Sequence, residues 1–266
     1  MPVLEGKAAL VTGGGSGIGL GTAKVLAADG CDVTIAARTE ERLKAAVDEI
    51  RAAAAHPDVR VQYAVCDVTV EDDVRAAVAL AAEPNDALDI LFACAGGALH
   101  LGPIVGADVA AWRATIDLNI VGTMLCIKHA AAVMAAGGGG AIVAMSSIAG
   151  HSTHRLMSAY CTGKAGIEML VKVAADELGG QGIRVNAVQP GLVATDLVAA
   201  ITVGGTLLDD YLEQMPVARV GQVDDIAAAV RFLVGPESSW ITGEMLAVDG
   251  GHHIRRGPNY NLLFEP

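Results

Sequence analysis

The sequence predicts an α/β domain built on a doubly wound parallel sheet, and three observations carry that reading. Short apolar runs alternate along the chain with longer segments of helical period. That is the pattern of strands buried on both faces and joined by crossover helices. The first run, residues 8–11, passes directly into a turn of five glycines and one serine between Gly13 and Gly19, then into a helical pattern closed by Gly30. Finally, the 266 residues are 53% hydrophobic, 18% charged and only 3% aromatic, so Ala, Val, Leu and Ile must fill one large core.

The same composition narrows the partners. A net charge of -12 argues against nucleic acid or an anionic membrane. Cys31, Cys66, Cys94, Cys126 and Cys161 form an odd set without C-x-x-C spacing, which reads as buried, reduced thiols in a cytoplasmic protein. The opening MPVLEGKAALVTG lacks the basic, apolar and cleavage regions of a signal peptide. The reading finds no stretch of about 18 apolar residues and expects no membrane span. His151 with His154, and His252 with His253, lack further ligands nearby, so no metal is expected.

Taken in order, the glycine turn has a physical use. A helix N-terminus offers unpaired N–H groups and the positive end of its dipole, which suits phosphate. Glycines there let the backbone approach a pyrophosphate closely. Gly13, Gly17 and Gly19 give G-x-x-x-G-x-G, with no Lys-Ser/Thr pair after it, so a nucleotide triphosphatase loop is not indicated. Residues 33–37 form a second strand, followed by Arg38. The acid that takes a ribose 2′-hydroxyl in dinucleotide folds is missing at Ala37, and an Arg nearby suits a 2′-phosphate. The alternative is a merely solvated Arg38 ahead of a helix at 40–54, whose first-turn Glu40 and Glu41 suit the dipole.

Residues 59–65 read as a third strand ending at Cys66-Asp67-Val68, then a helix over 71–82. Residues 88–93 make a fourth, and 97–108 a loop in which His100 either lines a pocket or is an ordinary loop residue. A long helix should run over about 108–136, with Asn119 and Gly122 inside it. Asn is a middling helix residue with a competing side chain, so its place there asks for a reason. Gly137 to Gly140 is a surface turn, 141–145 the fifth strand, and Ser146-Ser147 opens a polar loop. In the helix over 158–178, Tyr160 and Lys164 are i and i+4 and share a face. Residues 183–188 make the sixth strand, ahead of Pro190-Gly191. Residues 196–216 are poorly patterned, 224–234 form a helix and 245–248 the seventh strand. Residues 252–266 form a tail whose apolar residues suggest docking on a neighbouring subunit.

The string TGGGSGIG over 12–19, with Ser147 lying 13 residues and Asn119 lying 41 residues before Tyr160, resembles the short-chain dehydrogenase/reductase family. The resemblance spans residues 6–251. It implies a single Rossmann-type domain over 1–251, a seven-stranded sheet with helices on both faces, and a substrate lid near 196–216. It implies a homotetramer, or else a dimer. It assigns Asn119, Ser147, Tyr160 and Lys164 to catalysis. Tyr160 would exchange the proton, Lys164 would lower its pKa and hold the nicotinamide ribose, Ser147 would orient the substrate oxygen, and Asn119 would anchor a relay water. The cofactor would lie on Gly13, Gly15, Ser16, Gly17, Ile18 and Gly19, with Arg38, Asp67 and Val68 at the adenine end. Ala95 and Gly96, Tyr160 and Lys164, and then Pro190, Gly191, Val193 and Thr195 would take the ribose and nicotinamide. Asp67 is carried over as an adenine contact, with helix capping as its other role. The family's N-N-A-G segment departs here, since Ala93 and Cys94 stand at the two Asn positions.

The expected function is therefore hydride transfer between NADP(H) and an alcohol/carbonyl pair of small to medium, partly apolar character. The alternatives are the same fold using NAD(H), or a non-catalytic nucleotide-binding regulator, against which the presence of Tyr160 speaks. A hydrolase is discounted, because Ser146-Ser147-Ile148-Ala149-Gly150 lacks the G-x-S-x-G elbow.

Overall fold

The computed structural model describes residues 2–83 and 86–255. Seven parallel strands stand in the order β3-β2-β1-β4-β5-β6-β7: β1 Ala8–Thr12, β2 Asp32–Ala37, β3 Val61–Val65, β4 Ile90–Ala93, β5 Gly140–Met145, β6 Ile183–Pro190 and β7 Met245–Val248. The order reverses between β1 and β4, and the crevice outside the strand ends at such a switch is where ligands bind. Central strands β1 and β4 are buried at every residue, which is why their sequences are unbroken apolar runs. Edge strand β7 is half-buried throughout.

Helices cover both faces. On one, α1 Gly17–Ala28, α2 Glu40–Ala53 and α9 Val223–Val234 bury Leu26, Leu43, Ile50 and Val230 against the sheet. On the other, α3 Glu71–Ala82, α5 Gly122–Ala136 and α6 Ser158–Leu178 bury Val74, Ile127, Met134 and Val171. Both faces close with aliphatic side chains, as the low aromatic content requires. Cys31, Cys66 and Cys126 are buried and all five thiols are free. Cys94 and Cys161 are only half-buried, since each lies at the cleft rather than in a layer, so the reading of uniformly buried thiols is corrected there.

The long helix expected before β5 is interrupted. It consists of α4 Val109–Ile116, a π turn Asp117–Val121 and α5. The whole run Val109–Ala136 is 28 residues with a mean hydropathy of 1.5 in its most apolar window. By length and composition it could cross a membrane, which corrects the reading that no such stretch exists. Half of that window is buried, in contact with α3, α6, β4 and β5, and a core helix meets the same two criteria. The segment after β6 folds into a 3-10 turn Asp196–Val198 and the short helices α7 Ala199–Thr202 and α8 Thr206–Gln214. The last described turn, His252–Ile254, follows β7, and the apolar end of the tail lies outside the described residues.

Candidate active site

The glycine turn is shaped by close approach. A Cβ at Gly19 would collide with the Gly13 carbonyl, and one at Gly13, which has φ +69, would press on the Ala95 backbone at 3.1 Å. Thr12 braces the far side, its Oγ1 accepting from the Cys94 and Ala95 amides at 3.1 and 3.2 Å. Ser16 precedes α1 but its side chain caps nothing, so the first N–H groups of the helix have no side-chain acceptor. These bare amides, with a cradle that any side chain at Gly13 or Gly19 would fill, fit the pyrophosphate of a dinucleotide. Ile18 packs against the core, while Gly15 adjoins Ala37 and Arg42.

Arg38 is exposed at the end of β2. It lines a cavity of about 350 Å³ with Asp67, Thr69, Leu99 and Leu118, which brings together two of the residues expected at the adenine end. Asp67 accepts from the Thr69 amide at 2.9 Å and hydroxyl at 2.7 Å, and those bonds, helped by Arg38, hold its carboxyl below the usual range. It thus fixes the turn before α3 while facing the cavity. The side chain of Val68 is buried and fits against Gly122. At the other end, Gly191 lies so close to Asp249 that a Cβ would fall 2.9 Å from its Cα. Pro190 closes β6, Val193 bridges to Gly221, and Thr195 packs its methyl 3.4 Å from the Cβ position of Gly17. The loop after β6 and the glycine turn therefore meet over the cleft.

Asn119 explains itself at the π turn. Fully buried, it donates from Nδ2 to the carbonyls of Gly97 at 2.7 Å and Thr115 at 2.8 Å, and accepts from the Gly97 amide at 3.3 Å. Such turns widen a helix by one residue and gather at functional sites. Gly96 and Gly163 make the room. A Cβ at Gly96 would lie 2.8 Å from Asn119 Oδ1 and 3.2 Å from Lys164 Nζ, and one at Gly163 would lie 3.2 Å from the Asn119 Cβ.

Ser147 caps the 3-10 turn Ile148–Gly150, accepting from the Ala149 amide at 3.1 Å, and its hydroxyl favours the ionised form of the neighbouring Tyr160 phenol. Lys164 is 2% exposed; its Nζ donates to the Met145 carbonyl at 2.7 Å and lies 5.4 Å above the centroid of the Tyr160 ring. Burial lowers its ammonium to about 8. Burial raises the Tyr160 phenol above its ordinary value, and the Ser147 hydroxyl draws it back only in part. In the free protein the phenol is therefore raised rather than lowered, because burial outweighs the groups that favour its ionised form.

Three residues went unseen in the sequence. Glu168 accepts from the Ser146 hydroxyl at 2.8 Å and from Gln189 at 2.6 Å, tying α6 to β5 and β6 behind Ser147. Arg42, in the first turn of α2, stands beside Gly15. Tyr211, on α8, reaches the Tyr160 side of the cleft. Their only linear signals were spacing from known positions, which does not disclose contacts between distant segments. His100, by contrast, is buried beside Gly102, with Nε2 unpaired among the described residues. Among the described residues no group of three His, Cys, Asp or Glu could hold a metal.

Comparison with known proteins agrees with this geometry. A family model described as enoyl-(acyl carrier protein) reductase matches residues 13–253. The cis-4-hydroxycyclohexanecarboxylate dehydrogenase of Sinomonas cyclohexanicum is 39% identical over 246 residues, 92% of this chain and 96% of that protein. A short-chain type dehydrogenase/reductase from Mycobacterium ulcerans superposes with a TM-score of 0.93 at 43% identity, covering 99% of this chain and 95% of that one. A 7α-hydroxysteroid dehydrogenase solved with NADH and 7-oxo glycochenodeoxycholic acid superposes at 0.87 with 32% identity, covering 93% and 94%. The chain belongs to the short-chain dehydrogenase/reductase family, oxidoreductases that act on alcohol and carbonyl groups with a nicotinamide dinucleotide.

Proposed function

We propose that the protein is an NADP(H)-dependent oxidoreductase that interconverts a cyclic secondary alcohol and its ketone. The observation that carries this is the convergence of Asn119, Ser147, Tyr160 and Lys164 from three segments at one end of the sheet, Asn119 and Lys164 buried and held by backbone carbonyls, and Lys164 Nζ 5.4 Å from the Tyr160 ring centroid. The bound nicotinamide supplies or accepts the hydride. Ser147 holds the substrate oxygen and Tyr160 gives or takes its proton. Lys164 carries positive charge beside the phenol and offers its ammonium to the ribose. Asn119 keeps Gly97 and the π turn fixed behind them and anchors a water on the proton route. Loops 97–108 and 196–216 screen the reacting carbon from solvent.

Preference for NADP rests on the empty acid position at Ala37 and on two cations, Arg38 and Arg42, flanking the segment beside Gly15. The NADH held by the hydroxysteroid dehydrogenase favours the second reading, the same chemistry with NAD. The ring substrate is supported by the cyclohexane alcohol and the 7-oxo acid named for the two relatives, and by exposed Leu101, Leu197 and Val203 around the mouth. We further propose one domain over 1–251 with its lid at 196–216, a homotetramer or dimer, and a cytoplasmic location.

Fluorescence titration with NADPH and NADH, alongside a panel of alcohols and ketones, tests the reading. Wild type should bind NADPH more tightly, and Arg38→Ala should weaken NADPH about 10-fold with NADH little changed. Tyr160→Phe should lower kcat by roughly 10²–10⁴-fold with the cofactor still bound. Turnover surviving in Tyr160→Phe would remove the assignment.

A further inference from the structure

The chain is strongly acidic, yet two segments bordering the cleft contain no acid at all. Residues 97–107 and 148–167 carry His100, His151, His154, Arg155 and Lys164 without a single Asp or Glu. These two segments are locally basic within a chain of net charge -12, and they face a lid that carries Asp196, Asp209, Asp210 and Glu213. One point on this wall is built rather than merely charged. Tyr211 of α8 lies between two imidazoles, its ring centroid 6.5 Å from His154 and 5.7 Å, edge-on, from His252. The loop after β5, the lid and the turn after β7 thus meet in three rings.

The Tyr211 ring is half-buried and its hydroxyl makes no hydrogen bond among the described residues. Burial and then Asp210 keep that phenol protonated, so it is a donor. The same phenol is close enough to bear on the ionisation of Tyr160. Asp210, which is exposed, and Cys161 both add to the rise at Tyr211. His154 gives Nδ1 to the Ser152 carbonyl at 3.1 Å, which orients the ring. Arg155 follows it, exposed and without a hydrogen bond or ion pair among the described residues.

We propose that Tyr211, with His154 and Arg155, forms a recognition subsite for a carboxylate carried by the substrate away from its reacting carbon. This rests on the reading of the site as a ring-alcohol oxidoreductase and names the second functional group of its substrate. A carboxylate accepts from a phenol and from cationic or N–H donors at once, and such charge-assisted bonds are the strong ones. The subsite travels on the lid, so the acid end of the substrate would draw the lid onto the cleft.

Two probes differing by the carboxylate test it: cyclohexanol and 4-hydroxycyclohexanecarboxylate, each assayed with NADP. Wild type should prefer the acid by about 10-fold or more in kcat/KM, and Tyr211→Phe, which keeps all three rings, should cut that preference about 10-fold through KM. Arg155→Ala should cut it about 3-fold. A preference unchanged in both variants, or equal loss on both probes, overturns the subsite. If wild type turns over neither probe, the ring-alcohol reading fails. The subsite is then decided by calorimetric binding of cyclohexanecarboxylate to the NADP-loaded protein. Binding weakened about 10-fold in Tyr211→Phe supports it, and absent or equal binding overturns it.

Discussion

On the floor of the cleft, Asn119, Ser146 and Lys164 are at most 2% exposed, and each is hydrogen-bonded to backbone or to Glu168. Around its mouth, Leu101, Ile104, Val105, Leu197 and Val203 are each at least 72% exposed. The floor is cut into packed helices and strands, where a displaced atom meets neighbours at once. The mouth is carried on loops and two short helices with little to hold them apart from a ligand. Reactive groups must keep their geometry within a fraction of an ångström, whereas a substrate surface only has to be covered. The two regions therefore answer differently to mutation.

The largest effect belongs to Lys164. Lys164→Met should lower kcat by roughly 10²–10³-fold while the protein folds. Stability then gives a separate reading. The lysine titrates at about 8 when folded against 10.5 ordinarily, so between those values the unfolded chain binds the extra proton and stability rises with pH. Below pH 8 the full cost of the buried charge is present. Relative to Lys164→Met, wild type should gain about 3 kcal/mol from pH 7.5 to 10.5 in urea titrations. Parallel stabilities would show that the ammonium is not desolvated.

Asn119→Ala comes next. It strands the Gly97 and Thr115 carbonyls in the interior, at a cost of about 1–3 kcal/mol in denaturant, and should lower kcat about 10-fold. Stability unchanged would mean that the π turn does not depend on its asparagine. The smallest effect belongs to the mouth. Leu197→Ser should move stability by less than about 0.5 kcal/mol and raise KM for an apolar alcohol about 2-fold. A stability loss like that of Asn119→Ala would erase the contrast between the regions.

Much of the floor was legible in the linear chain. The helix carrying Tyr160 and Lys164 was bounded at Ser158 and Leu178, as found, because its apolar period and its ends are local properties. Central strands were legible for the same reason. The π turn was not, although Asn119 and Gly122 marked the place, because the turn is stabilised by Gly97, which lies 22 residues away. Glu168 and Tyr211 were not legible either. Each acts across the fold, on Gln189 or His252, and no period encodes such a pairing. The reversed shift at Tyr160 had the same origin, since burial of a phenol is set by everything packed around it.

The π turn also divides a helix into two phases. Each α-helical residue advances about 100° around the axis, so one residue absorbed at Asp117–Val121 rotates the surface of α5 by about that angle relative to an unbroken continuation of α4. Upstream, Trp112 is aimed at Ser158 of α6, whereas downstream Ile127 and Met134 are aimed at the sheet. A single-residue deletion there would make a more regular helix and turn one of these faces away from its partner. The irregular turn is therefore the joint that lets one rod serve both α6 and the core.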